Sequence, residues 1–207
     1  MKETWEEKKE KKSYPSLGII RLDYNYPPAN GDIDCPNSFS YDVYYKVIPG
    51  LTYEMCQSGT MTNEVEMDFI KSIQWLVEEK NVSGITGDCG FMMYYQSLAR
   101  KITHKPVFMS SLVQLPAVTS AYNSKEQVII MTGNKTSFLP MRDLIKDECR
   151  VDTYDKRYHI VGCEDVPGFE AVALGKRVDV KKVEPGIVKK AVDSLKQFPE
   201  SRVFLLE

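Results

Sequence analysis

Short apolar runs alternate along this chain with longer stretches in which apolar residues recur every three to four positions. The runs fall at residues 17–22, 41–48, 84–88, 106–110, 127–132, 157–163 and 202–207. Most are continuous β-branched or apolar segments without the alternation of a half-solvated strand. That pattern predicts strands buried on both faces of a parallel sheet. Between them the period becomes helical. Asn63 followed by Glu66 resembles a capping box, and Val65, Phe69, Ile73 and Leu76 then share one face up to about Lys80. Phe91, Tyr95, Leu98 and Ile102 predict the next helix. Pro140 suits the first turn of another before Leu144 and Ile145, and Pro185 fills the same place before Val188, Ala191, Val192, Leu195 and Phe198. Strand–helix alternation of this kind predicts an α/β fold of the doubly wound, parallel-sheet type.

The pattern also reads as duplicated. Gly18-Ile19-Ile20-Arg21 opens one set of strands and Val128-Ile129-Ile130-Met131 a second. Strand 84–88 then corresponds to strand 202–207, an offset of about 115 residues. Two pseudo-symmetric domains, 15–112 and 113–207, would place a ligand cleft between them. Residues 1–14, mostly Lys and Glu in the first twelve, predict a solvated charged tail that cannot bury apolar area. The chain stops at the carboxyl end of an apolar strand, where open α/β sheets carry their chemistry, so the second domain is expected to lack its C-terminal elements.

Composition narrows the function classes. With 207 residues, 43% of them hydrophobic and 27% charged, the chain can build a substantial core, and a formal charge of −2 argues against a nucleic-acid partner. No apolar run approaches the roughly 18 to 20 residues needed to cross a bilayer, and the N-terminus lacks the apolar segment of a secretory signal. Cysteines stand at 35, 56, 89, 149 and 163. An odd number with no CxxC pair favours free thiols, and the expectation is a soluble protein of a reducing intracellular compartment, without a membrane partner. Cys149, His159 and Cys163 have neither zinc spacing nor a fourth ligand, so no metal is expected.

Cys89 is the sharpest chemical candidate. It follows the strand ending at Asp88 and precedes Gly90 and a helical stretch from Phe91, which puts a thiol at a helix N-terminus where the dipole favours thiolate. Gly87 and Gly90 offer close backbone approach to a ligand. Asp88 opposes ionisation by like charge. Cys35 and Cys56 read as loop residues, Cys149 as a helix end and Cys163 as a strand end. The loop Thr132-Gly133-Asn134-Lys135-Thr136 follows another strand, and Gly133 and Asn134 are candidates to hold a carboxylate, although an ordinary capped turn has the same sequence. Phe91, Tyr94 and Tyr95 form either a cage for a cation or a core face. His104 and His159 sit beside no nucleophile and read as ordinary surface or strand residues.

Three stretches carry a resemblance: residues 84–93, Gly-Ile-Thr-Gly-Asp-Cys-Gly-Phe-Met-Met; residues 106–112 with Gln114-Leu115-Pro116; and residues 162–169. From about Gly18 to the last residue the chain resembles the aspartate/glutamate racemase superfamily, and within it the Alma-type dimethylsulfoniopropionate (DMSP) lyases. The resemblance implies two pseudo-symmetric α/β domains, no metal and no other cofactor. It also implies two cysteines facing each other across the cleft and assembly as a homo-oligomer, a tetramer in that family. Cys89 matches the first cysteine. The second would follow Leu205-Leu206-Glu207, where this sequence ends, so the 207-residue chain is expected to have little activity alone. The implied chemistry acts on a small zwitterion, with Cys89 in catalysis and Gly90, Phe91, Gly133 and Asn134 in substrate binding.

Two alternatives stand beside it. A cofactor-independent amino-acid racemase would use the same proton abstraction, but Asp88-Cys89-Gly90-Phe91 departs from the Cys-Asn-Thr of amino-acid racemases. A non-catalytic ligand-binding paralogue would keep the cleft without the chemistry.

Overall fold

The computed structural model describes residues 14–25 and 27–207, so the charged tail expected at 1–14 lies outside the described residues except for Tyr14. In chain order the regular elements are β1 (Leu17–Arg21), β2 (Val43–Val47), α1 (Tyr53–Ser58), α2 (Asn63–Glu78), β3 (Gly84–Gly87), α3 (Gln96–Ile102), β4 (Val107–Phe108) and α4 (Leu115–Ala121). They continue with β5 (Gln127–Thr132), α5 (Lys135–Phe138), α6 (Arg142–Cys149), β6 (Tyr158–Gly162), α7 (Glu170–Ala173), α8 (Val180–Gln197) and β7 (Ser201–Leu206). Each of the seven apolar runs contains a strand. The strands form two all-parallel sheets, ordered β2-β1-β3-β4 and β6-β5-β7. This is the α/β, parallel-sheet architecture that the alternation implied.

The two sheets repeat one hydrogen-bond scheme. Ile48 N–H donates to Arg21 O, as Cys163 N–H donates to Thr132 O; Asp88 N–H donates to Ile20 O, as Glu207 N–H donates to Met131 O. Arg21 is thus the counterpart of Thr132, and Asp88 of Glu207. The pairing of Ile20 with Ile130 implied by the apolar patterns is one residue early, because apolar runs carry no register of their own.

Why these segments pack follows from their faces. In α2 the stripe Val65, Phe69, Ile73 and Leu76 is buried, each such side chain contributing roughly 1.5–3 kcal/mol when removed from water. Gly18 lets that helix lie close on β1, since a Cβ there would stand 3.1 Å from Leu76 Cδ1. Central strands β1 and β5 are almost wholly buried. The larger core cluster joins Ile20, Phe69 and Phe91 to Val128, Phe138 and Leu205, so it runs through both sheets. Arg100 of α3 pairs with Glu148 of α6 at 2.7 Å, and Ser111 Oγ donates to Leu206 O at 2.6 Å, tying the two halves at the surface.

Three local readings need correction. The N-cap of α2 is Thr62, whose hydroxyl accepts from Val65 N–H, and Asn63 is already the first helical residue. The helix read from Phe91 to Ile102 is a 3₁₀ segment, Gly90–Tyr95, followed by α3. Pro185 lies inside α8 rather than in its first turn. That helix starts at Val180, capped by Asp179, and the residues between carry too few apolar positions to register as periodic.

Thr62→Ala is expected to destabilise the protein by about 1 kcal/mol through loss of the cap, and Asn63→Ala by clearly less. Chemical denaturation of the two variants against the parent distinguishes the caps.

Candidate active site

The carboxyl ends of β1 and β3 deliver the first-sheet contribution to the site. β3 ends at Gly87, Asp88 N–H is anchored on Ile20 O, and Cys89 follows in extended conformation as the residue before the 3₁₀ segment. Cys89 lines two openings. One is a cleft of about 730 Å³ between residues 22–34 and 52–54 of the first half and 169–180 of the second. The other, about 360 Å³, is shared with Gly90, Ser110, Ser111, Gln114 and Glu207.

The walls of the larger cleft differ sharply. From the first half come the acids Asp23, Asp32, Asp34, Glu54 and Asp88 with Tyr24 and Tyr53. The second half supplies mainly apolar groups, among them Phe169, Val172, Leu174 and Val178, with Arg177. Asp34 and Asp88 form a buried carboxyl pair. Burial pushes Asp34 up to about 6, against the pull of Arg21, whose Nε lies 3.5 Å from Asp34 Oδ1, and of its hydrogen bond with Asp88. Burial and the Asp34 charge push Asp88 well above the usual carboxylate range, although Leu22 N–H donates to its Oδ2 at 3.0 Å. Two carboxyls this close share a proton more readily than they both ionise.

The thiol itself behaves contrary to the helix-end expectation. Cys89 is only 9% exposed, and its pKa is raised well above the ordinary value. The first cause is a hydrogen bond with Cys56, followed by burial and the charges of Cys56, Asp88 and Glu207. A single 3₁₀ turn supplies too weak a dipole to offset a neighbouring thiol and two acids. Cys56, read as a loop residue, is wholly buried in α1, where it comes up beneath Cys89. Glu207 is the other unforeseen neighbour. Burial raises it to about 7, partly offset by Thr132, and neither carboxyl oxygen has a hydrogen bond of good geometry.

The remaining candidates separate. Gly90 borders the smaller opening, and its missing side chain leaves room for the Glu207 carboxyl, which a Cβ would approach within 2.6 Å. Phe91 is 2% exposed and meets Tyr53 edge-on; Tyr95 is buried and its hydroxyl donates to Met55 O and Thr60 O. The aromatic cage of Phe91, Tyr94 and Tyr95 is therefore a core face. Gly87 packs against Met92 and Met109 and also borders the smaller opening. Asn134 uses its Oδ1 to cap α5, accepting from Ser137 N–H at 3.1 Å, and Gly133 stands against the Tyr53 hydroxyl. Neither Gly133 nor Asn134 lines an opening shared with Cys89. Among the described residues no group of three His, Cys, Asp or Glu is placed to hold a metal ion, and no helix is long and apolar enough to cross a membrane.

With this geometry in place, comparison with known proteins is informative. The chain is 61% identical over 182 residues to dimethylsulfoniopropionate lyase 3 of Emiliania huxleyi (strain CCMP1516), covering 88% of this chain and 47% of that protein. It is 58% identical over 188 residues to lyase 7 of the same strain, covering 91% and 55%. To the dimethylsulfoniopropionate lyase of Durusdinium sp. clade D it is 47% identical over 194 residues, covering 94% and 64%. Over these stretches the chain is similar to dimethylsulfoniopropionate lyases. It spans about half the length of these E. huxleyi lyases. No protein-family model matches the sequence. Among solved structures, unliganded arylmalonate decarboxylase superposes with a TM-score of 0.53 at 15% identity, over 93% of this chain and 77% of the other. A glutamate racemase of Bacillus anthracis superposes with a TM-score of 0.50 at 10% identity, over 92% and 76%. At these identities the likenesses show a shared fold: the chain has the α/β architecture of the decarboxylase and of the racemase.

Because the thiol is held protonated, carboxamidomethylation of Cys89 by iodoacetamide is expected to be slower at pH 7 than that of free cysteine. Its rate should climb only above the ordinary thiol value of about 8.5. Cys56→Ala, which removes the leading cause, should shift that climb to lower pH. Mass spectrometry of the Cys89 peptide against pH reads both.

Proposed function

We propose that this chain contributes the Cys89 side of a DMSP lyase site, cleaving dimethylsulfoniopropionate to dimethyl sulfide and acrylate without a cofactor. The observation that carries the reading is Cys89 standing at the end of β3, on a cleft with an acidic wall and an apolar one. DMSP carries a carboxylate at one end and a dimethylsulfonium at the other. Acids offset the sulfonium charge, and apolar side chains such as Phe169 and Val172 receive its methyl groups. The two α/β units, 15–112 and 113–207, supply opposite walls.

Thiolate Cys89 takes the proton α to the carboxylate. The C–H electron pair becomes the second bond between the α and β carbons, and the β carbon–sulfur bond breaks with its pair going to sulfur. Dimethyl sulfide and acrylate leave, and the Cys89 thiol returns its proton to solvent. A buried thiol among acids is rarely ionised at neutral pH, yet once ionised it is a stronger base than an ordinary thiolate. The substrate resolves the conflict: its fixed positive charge enters the cleft and favours the thiolate. Gly90 provides backbone at the smaller opening. Phe91 buttresses Tyr53, Gly133 leaves space for its hydroxyl, and Asn134 holds the α5 turn, so these three act on the site indirectly.

Assembly as a homo-oligomer, a tetramer by resemblance, belongs to the same proposal; exposed Val188, Val192 and Leu195 on one face of α8 are consistent with a covered surface. All five cysteines are free, which suits a reducing compartment. Racemase chemistry on the same scaffold fits less well, since the neighbouring racemase is only 10% identical.

Headspace dimethyl sulfide measured over DMSP with the chain extended past Glu207 by the second cysteine that the resemblance implies tests the reading. Cys89→Ser should lower its release by about 100- to 10,000-fold, the usual contribution of a general base. For the parent, kcat/KM should rise from neutral towards alkaline pH as the thiol ionises. Release unchanged by Cys89→Ser overturns the assignment.

A further inference from the structure

Tyr53 is used by nothing described so far except as packing, yet it stands at the centre of the site. It is the first residue of α1, set by the Thr52 cap, whose hydroxyl accepts from Met55 N–H at 3.2 Å. Its ring lies edge-on to Phe91 with centroids 5.9 Å apart. The hydroxyl reaches the second sheet, where a Cβ on Gly133 would stand 3.0 Å from it. Tyr53 lines the large cleft together with Cys89. Among the described residues its hydroxyl makes no hydrogen bond to the protein. Burial first, then the charges of Cys89, Glu207, Cys56 and Glu164, push its phenol far up, so it remains a protonated donor at any working pH.

A neutral donor without a partner, in a cleft whose first-half wall is acidic, suits a ligand group that accepts hydrogen bonds. A free anion is repelled by that wall. A carboxylate that arrives attached to a cation is not, because the acids offset the cationic end. We propose that the Tyr53 hydroxyl donates the hydrogen bond that holds the substrate carboxylate beside Cys89, an assignment that rests on the DMSP lyase reading.

The chemistry requires such a group close to the base. The carboxylate is bonded directly to the carbon that loses its proton, so whatever holds it must lie within a few bond lengths of the sulfur. As the thiolate removes the proton, charge spreads onto the carboxylate oxygens before the β carbon–sulfur bond has finished breaking. A fixed donor there stabilises the transition state more than the bound substrate. Its loss should fall mainly on kcat.

Tyr53→Phe keeps the ring and its contact with Phe91 and removes only the donor. Dimethyl sulfide release should drop about 100-fold in kcat, with a smaller change in KM. Calorimetry with unreactive probes separates the ends of the substrate. Dimethylsulfonioacetate is a zwitterion like DMSP but has no β carbon from which sulfur can leave; its binding should weaken about tenfold in the variant, while binding of trimethylsulfonium, which has no carboxylate, should be unchanged. Gly133→Ala, which crowds the hydroxyl without deleting it, should lower turnover in the same direction. Unchanged kcat and dimethylsulfonioacetate binding in Tyr53→Phe overturn the proposal, as does dimethylsulfonioacetate that fails to bind the parent protein. Weakened trimethylsulfonium with dimethylsulfonioacetate unaffected also overturns it, by moving Tyr53 to the cationic end. If dimethylsulfonioacetate weakens as expected but the parent releases no dimethyl sulfide, the carboxylate assignment holds and the lyase reading fails.

Discussion

Parallel pairing of a central strand with its two neighbours places all the strand ends of a sheet on one side. Here this happens twice, with β1 between β2 and β3 and β5 between β6 and β7. Because both sheets use the same hydrogen-bond scheme, Asp88 and Glu207 leave their sheets at equivalent points, and each brings an acid to the smaller opening. The position of Cys89, its exposure on two openings and its acidic surroundings all descend from that pairing. Were β3 to slip by one residue against β1, Cys89 would turn to the other face and the arrangement would vanish.

Desolvation governs the electrostatics that follow. Burying Asp34, Asp88, Cys89 and Glu207 near one another is costly; among the described residues Arg21 offsets the charge of the two aspartates, and Thr132 hydrogen-bonds Glu207. The cost appears as pKa values raised at both aspartates, at Glu207 and at the Cys89 thiol. A site poised in this way is completed electrically by a cationic ligand, which lowers the energy of every ionised form around it. The apolar wall of Phe169, Val172 and Leu174 adds the complement for methyl groups. In the proposed reading, these two walls favour a zwitterion over a simple anion.

Much of the architecture was legible because buried parallel strands leave a dense signature. All seven apolar runs hold strands, and the reading of Cys89 at a strand end survives in place. The errors share a cause. The cap of α2 lies one residue earlier, at Thr62, because both candidate residues are good caps and only backbone geometry chooses. Pro185 sits within α8 because the amphipathic half of that helix begins after it. Helix α1, six residues with no room for a repeat, escaped notice altogether, and it carries both Cys56 and Tyr53.

What the sequence settled by itself was the order of the seven strands and the identity of the thiol that follows β3, since these depend on local pattern and chain neighbours. Tertiary structure decided the ionisation of that thiol, the conversion of Phe91 and Tyr95 into core, and the meeting of Tyr53 with Gly133. The physical reason is distance along the chain. A pKa is set by burial and by charges that approach through space, and Cys56 and Glu207 reach Cys89 from segments 33 and 118 residues away in sequence, which no local period records.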